Sequence, residues 1–284
     1  MIPVYRPHSM LRNHPHTPSV LQASNLVPFG ELLHGITTRH GGASNGPYQS
    51  LNLSFDVGDR PDRVRQNYRR VSRLLSFDLA SLVAGQQIHH NSIALIDESY
   101  RTCGCFLPET IVPATDGLAT NVPGITLMAR YADCVPLLFF NQARRTVGIA
   151  HAGWKGTLAR IGQSMIELLA AQFKCRPEET LVVIGPSIGP CCYQVDAGMA
   201  DLGVRELPPN EHCFVTAPGG GRLTFDLWEA NRRQLMTAGV QEGHIGSAEI
   251  CTSCNTDLFF SYRREAKITG RFGAFIGLKM PDAV

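Results

Sequence analysis

The sequence predicts a mixed α+β single domain with a central mixed β-sheet flanked by helices. Three observations lead there. Short apolar runs of strand length recur along the chain, apolar residues at helical spacing mark longer segments between them, and the two kinds interleave without a regular βαβ rhythm. The 284 residues suffice for a sizeable core. With 44% hydrophobic and 18% charged residues, the composition is that of a globular protein.

Taken in order, residues 1–25 read as a loosely ordered N-terminal arm, leaving 26–284 as a single domain. Leu32 to Thr38 reads as a strand running into a Gly-rich loop, RHGGASNGPYQSLNLSF. Pro61 opens a helix, because Val64, Tyr68, Val71, Leu74 and Leu75 fall on one face. The short run Ser92 to Ile96 follows. Ile125–Arg130, Val135–Phe140 and Thr146–His151 are apolar runs separated by turns, expected as neighbouring strands of one buried sheet. A helix is expected from about Thr157 to Phe173, with a stripe of Leu158, Ile161, Met165, Leu168 and Leu169. Leu181–Ile184 reads as a strand. Asp226 is placed to cap a helix that runs to Ala238 and stops at Gly239. Ile268–Gly277 returns to strand composition.

Bulk properties narrow the function. A formal net charge of +2 gives no electrostatic case for nucleic acid or an anionic membrane surface. No run approaches the about 20 apolar residues of a membrane span. The N-terminus lacks the apolar core of a signal peptide, so a cytoplasmic location is expected. The nine cysteines are an odd count, which suits reduced thiols. A monomer or small homo-oligomer is expected.

Chemistry concentrates in a few places. Cys134 lies in YADCVP, in the turn between two expected strands, and His151 ends the next strand in IAHAGWKG. Adjacent strands could bring them together, as a nucleophile and base or as metal ligands. A third candidate stands in GQQIHHN, where His89 and His90 are chemically equivalent choices. Asp133 could orient a ligand or act as acid or base. Arg39 and His40, in the Gly-rich loop, could hold phosphate or a ribose hydroxyl. Asn52, Asn67 and Gln87 are candidate pocket amides, and Gly153 and Gly156 suit a tight strand-to-helix turn beside the site. The Cys251–Cys254 CxxC pair and the adjacent Cys191 and Cys192 read as packed structural thiols, and no second CxxC exists to complete a ribbon.

Several stretches resemble the YfiH family, also labelled the laccase-domain or "polyphenol oxidase" family. They include TTRHGGAS, SLNLSFDVGD, ATDGLAT, YADCVPLLF, IAHAGWKGTLARI, IGPSIGPCCYQV, CTSCNTDLFFSYRRE and TGRFGAFIGL, spread over residues 31–279. The ordered pair ADCVP and AHAGWKG is the specific part. The resemblance implies a zinc site of two His and one Cys. It aligns Gln87-Ile88-His89 with a QVHG-like motif, selecting His89, with His90 where that motif has Gly, and it maps the other ligands to Cys134 and His151. Three protein ligands leave a fourth position open, the arrangement of a catalytic zinc. Zn2+ is therefore the expected cofactor, with copper possible in vitro.

The implied activity is phosphorolysis of adenosine, inosine and 5′-methylthioadenosine to free base and ribose 1-phosphate, together with adenosine deamination. The expected partners are purine nucleosides and phosphate. A metal-free Cys134–His151 hydrolase or amidase acting on cell-wall peptides is the alternative. A copper polyphenol oxidase is a weaker one, since the single His-x-His pair, His14 and His16, lies in the arm.

Overall fold

The computed structural model describes residues 5–7, 18–102, 110–207, 213–216 and 223–281. The His14–His16 pair, Cys103, Cys105 and most of the expected arm lie outside these residues. In chain order the elements are β1 Tyr5–Pro7, β2 Val20–Ala23, β3 Leu32–Thr37, α1 Pro61–Leu75, β4 Leu82–Ala84, β5 Ile93–Leu95, β6 Gly117–Thr120 and β7 Thr126–Tyr131. Then come β8 Val135–Asn141, β9 Thr146–Ala152, α2 Trp154–Leu158, α3 Ile161–Phe173, β10 Leu181–Ile184, β11 Gln194–Val195 and α4 Ala197–Glu206. The chain closes with β12 Phe214–Thr216, β13 Leu223–Phe225, α5 Leu227–Thr237, β14 Ile245–Ser247 and β15 Phe272–Leu278.

The α+β class and the mixed strand directions are as expected, but the strands are divided between sheets. One six-stranded sheet runs β1-β2-β3-β15-β7-β4 and a second runs β14-β10-β8-β9-β6-β5, with a three-stranded β11-β13-β12 at the side. Parallel pairs occur at β4–β7, β10–β14 and β5–β6, and the other ladders are antiparallel. Ile36, Leu127, Tyr131, Phe272 and Ile276 of the first sheet share one core with Leu118, Leu138, Phe140, Ile149 and Val183 of the second. The outer face of the first sheet is covered by α1 through Val64, Tyr68 and Val71. The outer face of the second is covered by α2, α3 and α5 through Leu158, Ile161, Met165, Leu169 and Leu235. Each central strand is therefore buried on both faces. In β8, Val135, Leu137 and Phe139 face the helices while Leu138 and Phe140 face the other sheet. That is why its sequence is a continuous apolar run with no alternation.

Four expectations are corrected. The three apolar runs are not three neighbours, since β8 pairs with β9 whereas β7 belongs to the opposite sheet. The link Ala132–Asp133–Cys134 crosses between sheets, and Asp133 turns it with a φ of 89°. The helix expected over 157–173 is two helices, broken at Arg160, whose φ is 58°. Within the expected arm, Val20–Ala23 is an ordered strand on β3, with Val20 and Ala23 buried. The last strand starts at Phe272, and Ile268 is exposed. The capped helix forms as expected, with Asp226 accepting from the Trp228 and Glu229 amides and Gly239 following at a φ of 95°.

The aromatic seam between the sheets offers a test of the packing. Phe272 is fully buried, 5.8 Å from the Tyr131 ring and 5.2 Å from the Phe259 ring, centroid to centroid. Phe272→Ala leaves a cavity between two sheets that cannot collapse. It should lower stability by about 3–5 kcal/mol in urea unfolding.

Candidate metal centre

Strand register assembles the site. Val135 pairs with Ala152 and Pro136 with His151, so the residue before β8 lies beside the end of β9. That residue is Cys134. His89 arrives from the loop after β4, where Gln87 and His89 adopt φ values of 58° and 63°. The ligand atoms of His89, Cys134 and His151 lie within 4.8 Å of one another. The two imidazoles meet edge-on, 4.8 Å between centroids at 83°. His90 is not part of this group, and its backbone amide serves instead.

One carboxylate organises this arrangement. Asp116, buried just before β6, accepts from His151 Nδ1 at 2.9 Å and from the His89 amide at 2.9 Å through Oδ1. Its Oδ2 accepts from the Ile88 and His90 amides at 3.0 and 2.9 Å. The His151 amide also donates to the Asp116 carbonyl at 2.8 Å. A single side chain thus fixes both the His89 loop and the His151 ring, leaving Nε2 of His151 for the cluster. Burial pushes the Asp116 carboxyl up, but the bonds from His151, His90 and His89 outweigh it and hold it below the usual range. Burial likewise opposes ionisation of Cys134 and His151. The neighbouring His151 and His89 nevertheless bring the Cys134 thiol down to about 6. The Cys134 charge and Asp116 lift His151 to about 9.

The cluster opens onto a cavity of about 800 Å³. Arg130 and Arg271 line it, together with Gln87, Ile111, Val57 and Tyr262. Gln87 clamps the His89 loop to β7, donating to the Arg130 carbonyl at 2.8 Å and accepting from the Arg130 amide at 2.9 Å. Arg130 is 8% exposed, and its nearest acidic partner is Asp56 at 3.9 Å. Arg271 donates to the Thr269 and Gly270 carbonyls at 2.8 and 2.9 Å, and burial lowers its pKa from the ordinary arginine value.

Other expected site residues lie apart from this cavity. Arg39 is committed to Glu265 at 3.0 Å, to the Gln49 and Thr256 carbonyls, and to the face of Phe260. It braces the Gly-rich loop and is not among the lining side chains. His40 follows it there. Asn52 is fully buried, bonded to Asp59 and Ser54, and receives the Arg271 amide. Asn67 caps the same loop through Ala43, Ser44 and Asn52. Asp133 accepts from Thr252 Oγ1 and the Arg263 amide, both at 2.7 Å, so it anchors the turn carrying Cys134. Asp116, Arg130, Arg271 and Tyr262 were not singled out from the sequence. Asp116 lies in ATDGLAT, yet nothing local to that stretch indicates that its carboxylate meets three amides and an imidazole.

Two sheets that converge on one buried carboxylate, two imidazoles and a thiol define a class: an α+β protein with three side chains able to hold a metal ion beside a cavity. The chain belongs to the YfiH, or laccase-domain, family. Residues 33–279 match the family described as multi-copper polyphenol oxidoreductase laccase. It is 43% identical to purine nucleoside phosphorylase YlmD of Geobacillus stearothermophilus over 88% of this chain and 91% of that one. It is 31% identical to adenosine deaminase RL5 of an unknown prokaryotic organism over 86% and 95%. The crystal structure of YlmD from Geobacillus stearothermophilus superposes with a TM-score of 0.89 at 40% identity, covering 98% and 99% of the two chains. No helix of the described residues is long and apolar enough to cross a membrane.

Three measurements check this geometry. A Cβ on Gly153 would sit 3.0 Å from Cys134 Sγ and 3.5 Å from the His89 ring, while the Gly153 φ of −69° tolerates alanine. Gly153→Ala should therefore fold and yet weaken metal affinity. Asp116→Asn should weaken it about 10- to 100-fold by competition titration. In metal-free protein, Cys134 and His151 are both charged between about pH 6 and about 9. Their contribution to stability should fade as pH falls through 6, where the thiolate protonates, and as it rises through 9, where the imidazolium loses its proton. Site-resolved alkylation of Cys134 should show a midpoint near pH 6.

Proposed function

We propose that this chain is a cytoplasmic purine nucleoside phosphorylase with adenosine deaminase activity, using zinc held by His89, Cys134 and His151. One observation carries the reading: the three ligands share a cavity with two arginines, Arg130 and Arg271. The names of the relatives supply the substrate class. A half-buried thiolate beside two imidazoles fits a borderline-soft divalent ion. When bound, zinc supplies a Lewis acid that lowers the pKa of water toward neutrality.

The chain's own residues do the rest. Asp116 keeps a proton on His151 Nδ1, so the ring presents Nε2 as a lone pair. Arg130 and Arg271 offer fixed cations to phosphate, a role first expected of Arg39. Tyr262, 42% exposed, and Ile111 give a purine an apolar face. In phosphorolysis a phosphate oxygen bonds to the anomeric carbon while the glycosidic C–N bond breaks. The electron pair leaves with the purine, which takes up a proton. In deamination, water adds at C6 of adenine and ammonia departs. Adenosine, inosine and 5′-methylthioadenosine are the proposed substrates.

Inosine should yield hypoxanthine only when phosphate is supplied. Arg271→Met should lower kcat/KM for phosphate about tenfold to hundredfold with metal content unchanged. Metal-replete protein inert toward every purine nucleoside would overturn the proposal. A second reading, a metal-free thiol hydrolase, draws on the Cys134 thiolate and the His151 imidazolium. Activity that survives chelation and dies with Cys134→Ser would favour it. Copper oxidase chemistry has less support, since the cluster holds two imidazoles and the other metal-competent group among the described residues holds none.

A further inference from the structure

Away from the cavity, four more sulfurs converge. Cys191 and Cys192 lie between β10 and β11, and Cys251 and Cys254 lie between β14 and β15. Their sulfur atoms all fall within 4.8 Å of one another. Cys254 Sγ is 3.6 Å from Cys191 Sγ and 3.4 Å from Cys192 Sγ. The sequence reading of packed thiols does not account for this. Cysteine packed as a small hydrophobe is buried, whereas Cys191 and Cys254 are exposed and Cys192 is half-buried.

The spacing suits one ion. Zn–S bonds of about 2.3 Å in a tetrahedron place the sulfurs about 3.8 Å apart. An iron–sulfur cluster needs a wider cage, because its thiolates bind different irons. The cage is held ready by backbone. Ser187 and Cys251 form a parallel bridge. The Thr252 amide donates to the Ser187 carbonyl at 3.0 Å, and the Ser187 amide to the Ile250 carbonyl at 3.2 Å. The Gly189 amide points at Cys251 Sγ from 3.3 Å, a donor that favours a thiolate over a thiol.

We propose that Cys191, Cys192, Cys251 and Cys254 form a second metal site that holds one Zn2+ as a closed tetrathiolate. Four protein ligands leave no position for substrate, so this site is structural. Binding sends the thiol protons to solvent. Its place in the fold gives it a purpose. The loop after β10 meets the Asp133 carbonyl through the Ile188 amide at 2.9 Å, and the loop after β14 meets the Asp133 carboxylate through Thr252. The ion would staple these two loops together behind the turn that presents Cys134.

The test is metal content and thiol protection in full-length protein, purified under reducing conditions and loaded with zinc. Wild type should hold about two zinc ions per chain, and Cys254→Ser and Cys134→Ser about one each. Cobalt-loaded Cys134→Ser should show the visible absorption of tetrahedral sulfur-ligated Co2+, and Cys134→Ser/Cys254→Ser should lose it. Because Cys134→Ser isolates the second site, failure of this proposal is separable from failure of the nucleoside reading. Without any substitution, zinc should shield the peptides carrying Cys191, Cys192, Cys251 and Cys254 from alkylation. Folded Cys134→Ser that binds no zinc would overturn the proposal, as would a Cys192–Cys254 disulfide in the reduced, zinc-loaded protein.

Discussion

The buried carboxylate of Asp116 is the constraint on which the centre depends. It accepts from the amides of Ile88, His89 and His90 and from the imidazole of His151. A charged group at that depth is stable only when its lone pairs are all used, and here they are used on the two segments that carry ligands. The same interaction supplies an amide anchor for a loop at positive φ and fixes the tautomer of a ring. Loss of the carboxylate would release two of the three ligands together.

The third ligand is fixed differently. Cys134 follows a turn that leaves one sheet and enters the other, and Asp133 ties that turn to Thr252 and to the Arg263 amide. Asp133 therefore spends its carboxylate on the turn and is not among the residues lining the cavity. A similar exchange of roles runs through the Gly-rich loop. Arg39 spends its guanidinium on Glu265 and backbone carbonyls, and Arg130 and Arg271 supply cations to the cavity instead. Both are anchored by carbonyls or amides of their own surroundings, with the largely exposed Asp56 as a more distant partner of Arg130 at 3.9 Å.

Much of the secondary structure could be read directly. Helix α1 announces itself through Pro61 and an apolar stripe, and α5 through the Asp226 cap. The division into two sheets could not be read. Strands buried on both faces show no alternation, so β7, β8 and β9 look alike although only two of them pair. The break at Arg160 escaped because the apolar spacing continues across it. Of the candidate residues, those chosen by residue type and local motif, Cys134 and His151, come together at the cluster. Those whose role rests on distant partners, Arg39 and Asn52, do not.

By itself the sequence determined the α+β class and the positions of the main helices and strands, because periodicity is a local property, while the choice of His89 beside Cys134 and His151 came from the family resemblance and not from spacing. Tertiary structure alone decided which carboxylate holds the two histidine segments, which arginines face the cavity, and that Cys191 and Cys192 meet Cys251 and Cys254. Those facts depend on strand register and on loops returning to the same edge of the molecule, and no short window of residues encodes them.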